Sequence, residues 1–267
     1  MRDVQQRIEA LCDAAGGSWG IMLMDLDNGS SWGMNETQPY TAASIMKIPI
    51  MATVLQAHES GKFQLGDKLI LKKEDLVGGA GVLQHMTPGT ELTVYDLMML
   101  MIIQSDNTAT NILVDLVGIK TIQQYLKVHG FEGTSFYNKL MIVPAKRKGP
   151  NLITAVDMGR LLTEIAQGHM ISLQASERMI DILKKQQLQD CLPALLPEQN
   201  QSIVGTIPVW EIAHKTGSVQ GILHDVGILY VGQRKLVAAI LSQGLDKLAA
   251  QSVIQKIGLE LYRYLKK

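Results

Sequence analysis

Cysteine is nearly absent from this chain: Cys12 and Cys191 are the only two in 267 residues. Two thiols so far apart form neither a disulfide framework nor a zinc-ligand spacing. The six histidines stand singly, with no H-E-x-x-H or H-x-H grouping, so no metal and no other cofactor is read. An excess of one charge is missing too, since 25 Lys plus Arg balance 25 Asp plus Glu. Without a basic field a nucleic-acid partner is not expected. The most apolar stretch, Leu97 to Ile103, is closed off by Asp96 and Gln104 and falls far short of the roughly 20 residues that span a bilayer. No membrane span is read. Met1-Arg-Asp-Val-Gln-Gln-Arg-Ile-Glu-Ala lacks the apolar core and small-residue cleavage site of a secretory signal, and the compartment stays unknown.

What is present is a large stock of core residues, 46% hydrophobic by count, enough for a chain of this length to stabilise itself by packing. Val4, Ile8, Leu11 and Ala15 recur at helical spacing before Gly16-Gly17, which predicts a first amphipathic helix. Two β-rich runs around Asn28-Gly29 predict a hairpin. Residues 209 to 217, 223 to 231 and 235 to 242 read as three more strands, and Val253, Ile254, Ile257, Leu261 and Leu265 as a closing helix. Between them helical runs dominate, at 93 to 104, 107 to 117, 120 to 129, 154 to 167 and 175 to 187. The expected fold is therefore α+β: an antiparallel sheet flanked by terminal helices, built from residues 1–42 and 205–267, with an all-α part, 43–204, inserted between its strands. A ligand cleft is expected at their junction.

Three short motifs follow one another at element boundaries: Ser44-Ile-Met-Lys47, Ser105-Asp106-Asn107 and Lys215-Thr216-Gly217. From average composition an S-x-x-K match arises roughly once by chance in such a chain, and each of the others in a few per cent of chains. All three in this order should arise in well under about one chain in a thousand. Together they resemble the signature of the penicillin-recognising serine acyl-enzymes, and within them the class A β-lactamase-like branch. The likeness extends to Thr41-Ala-Ala-Ser-Ile-Met-Lys-Ile-Pro-Ile, Thr90-Glu-Leu-Thr-Val-Tyr-Asp-Leu and His214-Lys-Thr-Gly-Ser.

The residue types fit that chemistry. A serine hydroxyl is a poor nucleophile until a base takes its proton, and a lysine three positions later on a helix lies on the same face. Lys47 is thus expected within reach of Ser44, at a helix start whose free N–H groups favour a developing oxyanion. Pro49 agrees with a start there. To act as a base Lys47 needs a lowered pKa, which burial and a second cation such as Lys215 would supply. An ordinary N-cap with a solvated first-turn lysine is the plain alternative. The resemblance implies further roles: Ser105 passes a proton to the leaving nitrogen, Asn107 bonds the substrate's amide side chain, and Asp106 is structural. It also makes Lys215-Thr216-Gly217-Ser218 an edge strand that binds the substrate carboxylate, with the Ser218 and Ser44 N–H groups forming the oxyanion hole. Gly217 permits the close backbone approach that this requires.

The sequence departs from the class A pattern in three places. That family carries a Glu, within E-x-x-L-N some 35 residues past S-D-N, which activates the deacylating water. Here the stretch reads Tyr137-Asn-Lys-Leu-Met-Ile-Val-Pro-Ala-Lys-Arg-Lys-Gly-Pro-Asn151 and has no acid. Glu132 comes several residues too early. Where class A enzymes often place an Arg for the substrate carboxylate, this chain has His224, read as a substrate-binding donor to that carboxylate, with a packed polar strand histidine as the plain alternative. Finally, the glycine-rich stretch 75 to 84 is expected to widen or loosen the cleft. The reading is a serine hydrolase acylated at Ser44 by β-lactams or D-alanyl peptides and acting as a monomer, with deacylation in doubt. A D-alanyl-D-alanine peptidase or another acyl esterase or amidase is the alternative, and a catalytically silent ligand-binding module the alternative of another class.

Overall fold

The computed structural model describes residues 1–141, 148–198 and 208–267. A helix α1 (Arg2–Ala15) leads into the hairpin β1 (Ser18–Asp25) and β2 (Ser31–Met34), then a two-residue strand β3 (Tyr40–Thr41) and a 3₁₀ turn, Ala43–Met46, that continues as α2 (Lys47–Glu59). Next come a small ribbon, β4 (Lys68–Ile70) with β5 (Glu91–Thr93), and three helices, α3 (Val94–Ile103), α4 (Asn107–Val117) and α5 (Ile119–Val128). A second two-residue strand, β6 (Leu152–Ile153), precedes α6 (Ala155–Ala166) and α7 (Leu173–Lys184). The chain closes with β7 (Trp210–Val219), β8 (Ile222–Val231), β9 (Arg234–Gln243) and α8 (Lys247–Leu265).

The expected α+β architecture is observed, but the inserted part is not all-α: it also carries the β4–β5 ribbon and the short strand β6, which pairs with β3. The main sheet is antiparallel in the order β2-β1-β9-β8-β7, so strands from both ends of the chain share it and β7 forms one edge. Period-two alternation divides its side chains between two cores. Ile21, Leu23, Leu229 and Ala238 pack under α1 and α8 on one face, while Val226, Val237, Ala239 and Leu241 join the α2 to α7 core on the other. The second expected boundary, at 204–205, lies outside the described residues.

Local signals explain where the helices begin. Thr93 and Asp96 form a reciprocal capping box for α3, and the side chains of Asp106, Thr154, Ser172 and Asp246 cap α4, α6, α7 and α8. β3 pairs with β6 through Tyr40 opposite Ile153 and Thr41 opposite Leu152. That contact carries the segment just before the Ser44 turn against the loop that precedes α6.

Candidate active site

Six stretches meet at a cleft of about 370 Å³, whose lining includes Ser44, Gly79, Asn107, Leu140, Asn151 and Ser218. Ser44 lies in the 3₁₀ turn and is half-buried, while Lys47, the first residue of α2, is completely buried. Ala43, immediately before the serine, has φ of 43°, a left-handed conformation for a residue with a Cβ. Such a residue stores about 1–3 kcal/mol of strain and persists only where its surroundings hold it. Ser105, with φ of 53°, is a second case at the same site.

The interior of the site is a lysine–serine–lysine cluster. Lys47 Nζ donates to the Ser105 carbonyl at 2.6 Å, to Ser105 Oγ at 3.1 Å and to Asn107 Oδ1 at 2.9 Å. Lys215 Nζ donates to the same Ser105 Oγ at 3.1 Å and to the Thr216 carbonyl at 2.8 Å. A hydroxyl has two acceptor lone pairs and one proton. Both lone pairs of Ser105 face lysine N–H groups, which leaves its own O–H available as a donor. Burial holds the Lys47 pKa well below its usual value, and the neighbouring Lys215 charge lowers it further, against the opposing effect of Asp106. Burial brings Lys215 down to about 7, with Asp225 acting in the other direction. Behind β7, Asp225 is itself buried against His214, whose Nδ1 lies 2.9 Å from Oδ1.

One expectation takes a different form. The i, i+3 spacing places the Lys47 amine on Ser44, but its three hydrogen bonds among the described residues run to Ser105 and Asn107. An ammonium has three N–H groups and these partners use all three. Loss of one proton, which the lowered pKa favours, frees a lone pair for the serine.

The edge strand is built as its motif predicts. A Cβ on Gly217 would stand 3.1 Å from the Ser44 backbone nitrogen, a tight contact, so a glycine here eases the close approach of β7 to the Ser44 turn. Thr216 is mostly buried and Ser218 is exposed at the cleft mouth. Asp106 is structural: its carboxylate accepts from Ala109 N at 2.9 Å and from Leu83 N at 2.8 Å.

Two expectations are corrected. His224 does not line the cleft. It is wholly buried, with Nε2 2.9 Å from the Thr41 carbonyl and Nδ1 accepting the Ser242 N–H at 3.1 Å, so neither ring nitrogen remains for a substrate carboxylate. The glycine-rich stretch does not loosen the site. Asn107 N donates to the Ala80 carbonyl at 3.0 Å, Asn107 Nδ2 to Gly78 at 3.1 Å, and Gln84 Nε2 to Gly79 and Gly81 at 2.8 and 2.9 Å. Gly79 and Gly81 adopt φ of 90° and 104°, and a Cβ on Gly81 would run into the Asp106 side chain. Those glycines serve close packing against Ser105-Asp106-Asn107.

The remaining departure concerns the missing acid. Leu140 lies 35 positions after Ser105, and its backbone is clamped on both sides by Asn111: Leu140 N donates to Oδ1 and Nδ2 donates to the Leu140 carbonyl, each at 2.8 Å. Among the described residues lining the cleft there is no Asp or Glu. Glu132 is exposed and borders a separate surface hollow with Thr37, Asp157 and Arg160. Residues 142–147 of the acid-free stretch lie outside the described residues. Sequence reasoning missed Asn111, whose signal is only a polar side chain on the buried face of α4, and the cleft-lining Asn138, Lys139 and Asn151.

Comparison with known proteins agrees with this geometry. The model of the beta-lactamase enzyme family matches residues 3–265. Beta-lactamase L2 of Stenotrophomonas maltophilia is 27% identical over 227 residues, covering 83% of this chain and 71% of that one. The crystal structure of a beta-lactamase from Sphaerobacter thermophilus superposes with a TM-score of 0.88 at 30% identity, covering 98% of this chain and 97% of the other. PBP-A superposes with a TM-score of 0.86 at 28% identity, over 99% and 96% of the two chains. A leucine-to-glutamate mutant of PBP-A, solved as an acyl-enzyme complex with penicillin G, matches at 0.86 and 27%, over 100% and 97%.

Proposed function

The chain belongs to the beta-lactamase enzyme family and is a serine β-lactamase-like hydrolase, and from that premise we propose that Ser44 is its nucleophile and that β-lactams acylate it faster than water removes them. The observation that carries this reading is the convergence of two buried lysines on one serine hydroxyl beside the cleft that Ser44 lines.

In the proposed reaction neutral Lys47 takes the Ser44 proton as Oγ attacks the lactam carbonyl. The developing oxyanion accepts from the Ser44 and Ser218 N–H groups, in a place where Gly217 leaves no Cβ to intervene. As the C–N bond breaks, Ser105 O–H donates its proton to the leaving nitrogen, and the proton held by Lys47 replaces it through the 3.1 Å contact. Ser218 and the mostly buried Thr216 hold the substrate carboxylate, with the charge of the wholly buried Lys215 acting on it from behind, and Asn107 holds the amide of the acyl side chain.

Deacylation then needs a base for water, and the described cleft lining offers no carboxylate for it. Removing one general base typically costs about 10²- to 10⁴-fold in rate. A penicillin is accordingly an inhibitor first and a substrate second. The test is intact-protein mass spectrometry after incubation with penicillin G, followed by peptide mapping. The proposal requires a stoichiometric adduct on the peptide bearing Ser44 and none in Ser44→Ala. An adduct on another residue, or none at millimolar drug, overturns it.

A further inference from the structure

His224 stands on β8 directly opposite Gly217 of β7, yet its ring points away from solvent, and its two nitrogens have partners of fixed character. A backbone N–H can only donate, so Nδ1, which receives Ser242 N–H at 3.1 Å, must be unprotonated. A carbonyl can only accept, so Nε2, 2.9 Å from the Thr41 oxygen, must carry the hydrogen. The ring is therefore a neutral imidazole of one defined tautomer, and the burial that lowers its pKa to about 4 keeps it so at neutral pH.

The two groups it joins matter for the site. Ser242 belongs to β9 in the interior of the main sheet. Thr41 is three residues before Ser44, with the left-handed Ala43 between them. On its other side this segment is held by β6, through the β3 pairing and through Ala42 N donating to the Asn151 carbonyl at 2.9 Å. Tyr40 adds an edge-on contact with the imidazole, ring centroids 6.1 Å apart. A strained turn keeps its shape only when it is held from more than one side. β6 supplies one side and the imidazole joins the turn to the sheet on the other.

We propose that His224 is a positioning residue for Ser44: a neutral strut between the Thr41 carbonyl and the Ser242 N–H that fixes the strained nucleophile turn against the edge strand carrying Lys215 and Ser218. This rests on Ser44 being the nucleophile. The strut governs the acylation step, where a misplacement of about 1 Å is worth up to about 10²-fold, and leaves the affinity for the substrate carboxylate alone. Residues opposite Gly217 and around Ser44 thereby act through backbone placement, with no contact to substrate by the imidazole itself.

The experiment compares His224→Gln with His224→Asn by stopped-flow acylation with penicillin G, separating the rate constant at saturation from the half-saturating concentration, alongside thermal unfolding. A glutamine amide reaches the Thr41 carbonyl as Nε2–H does, whereas asparagine is one methylene shorter and serves only the Ser242 N–H. The expected result is a saturating acylation rate reduced about 10- to 100-fold in His224→Asn, an unchanged half-saturating concentration, and recovery to within about threefold of wild type in His224→Gln. Wild-type acylation by His224→Asn, an effect confined to half-saturation, or equal defects in the two variants at equal unfolding temperature overturns the strut. If His224→Asn does not fold, nitrogen chemical shifts of the wild-type imidazole decide: a ring protonated at Nδ1 at neutral pH refutes it. Failure of wild type to form any adduct with penicillin G is a different result, which removes the Ser44 reading and this inference with it.

Discussion

Replacing Leu140 by glutamate should convert a trapped acyl-enzyme into one that turns over. Position 140 lines the cleft with Ser44, and its backbone is fixed by the paired 2.8 Å hydrogen bonds to Asn111, so a longer side chain there is aimed by contacts that the substitution leaves untouched. Leu140 is only half-buried, and a fully buried leucine contributes about 1.5–3 kcal/mol, so the substitution costs less than that in stability. The cleft of about 370 Å³ leaves space for water, whose share of liquid volume is roughly 30 Å³ per molecule. An ionised Glu beside that water supplies the missing general base, worth about 10²- to 10⁴-fold, or about 3 to 5 kcal/mol of barrier. The assay is the decay of the mass-resolved penicillin G adduct after excess drug is removed, with Leu140→Gln as the isosteric control. A Leu140→Glu adduct that lives as long as the Leu140→Gln adduct, with the glutamate seen in the cleft, refutes the argument that a base is all the site lacks.

Three further outcomes follow from the same geometry. Lys47→Ala should slow acylation by about 10²- to 10⁴-fold while half-saturation changes little, because the base acts in the transition state; acylation at the normal rate would assign the base to another group. Lys215 is held at about 7 by burial, so it is charged below that pH and loses its charge above it; the affinity for penicillin carboxylate should weaken as pH rises through about 7, and half-saturation that stays flat to roughly pH 9 would contradict that. Gly81→Ala forces a Cβ into Asp106 at a φ of 104°, and should destabilise the protein by about 1–3 kcal/mol and slow acylation by moving the Ser105 loop; denaturant unfolding and stopped-flow acylation read the two effects, and an unperturbed variant would mean that the loop yields.

Much of this site was legible in the sequence because the chemistry is carried by local motifs. Ser44-Ile-Met-Lys47, Ser105-Asp106-Asn107 and Lys215-Thr216-Gly217 each sit where an element begins or at a sheet edge, so cap chemistry and strand alternation foretold their setting as well as their identity. His224 was misread for a specific reason. Alternation along β8 gives the face on which its side chain lies, but that face is covered by Thr41, which reaches it through the β3–β6 pairing, two residues long and without a periodic signal. The glycine run was misread because composition does not distinguish a loose loop from one in which each missing Cβ makes room for a neighbour. Leu140 could be counted 35 positions from Ser105, whereas its clamp by Asn111 is a contact between a helix side chain and a distant backbone.

The lifetime of the penicillin G adduct relative to its rate of formation tests the account most directly. Wild-type protein mixed with a modest excess of drug, quenched at intervals and weighed intact, should accumulate the Ser44 acyl-enzyme to completion within the acylation phase and lose it at least about 10²-fold more slowly than Leu140→Glu does. Complete hydrolysis of the excess drug with no adduct ever accumulating would contradict the account, because it requires a deacylating base that the described lining of the cleft around Ser44 does not contain.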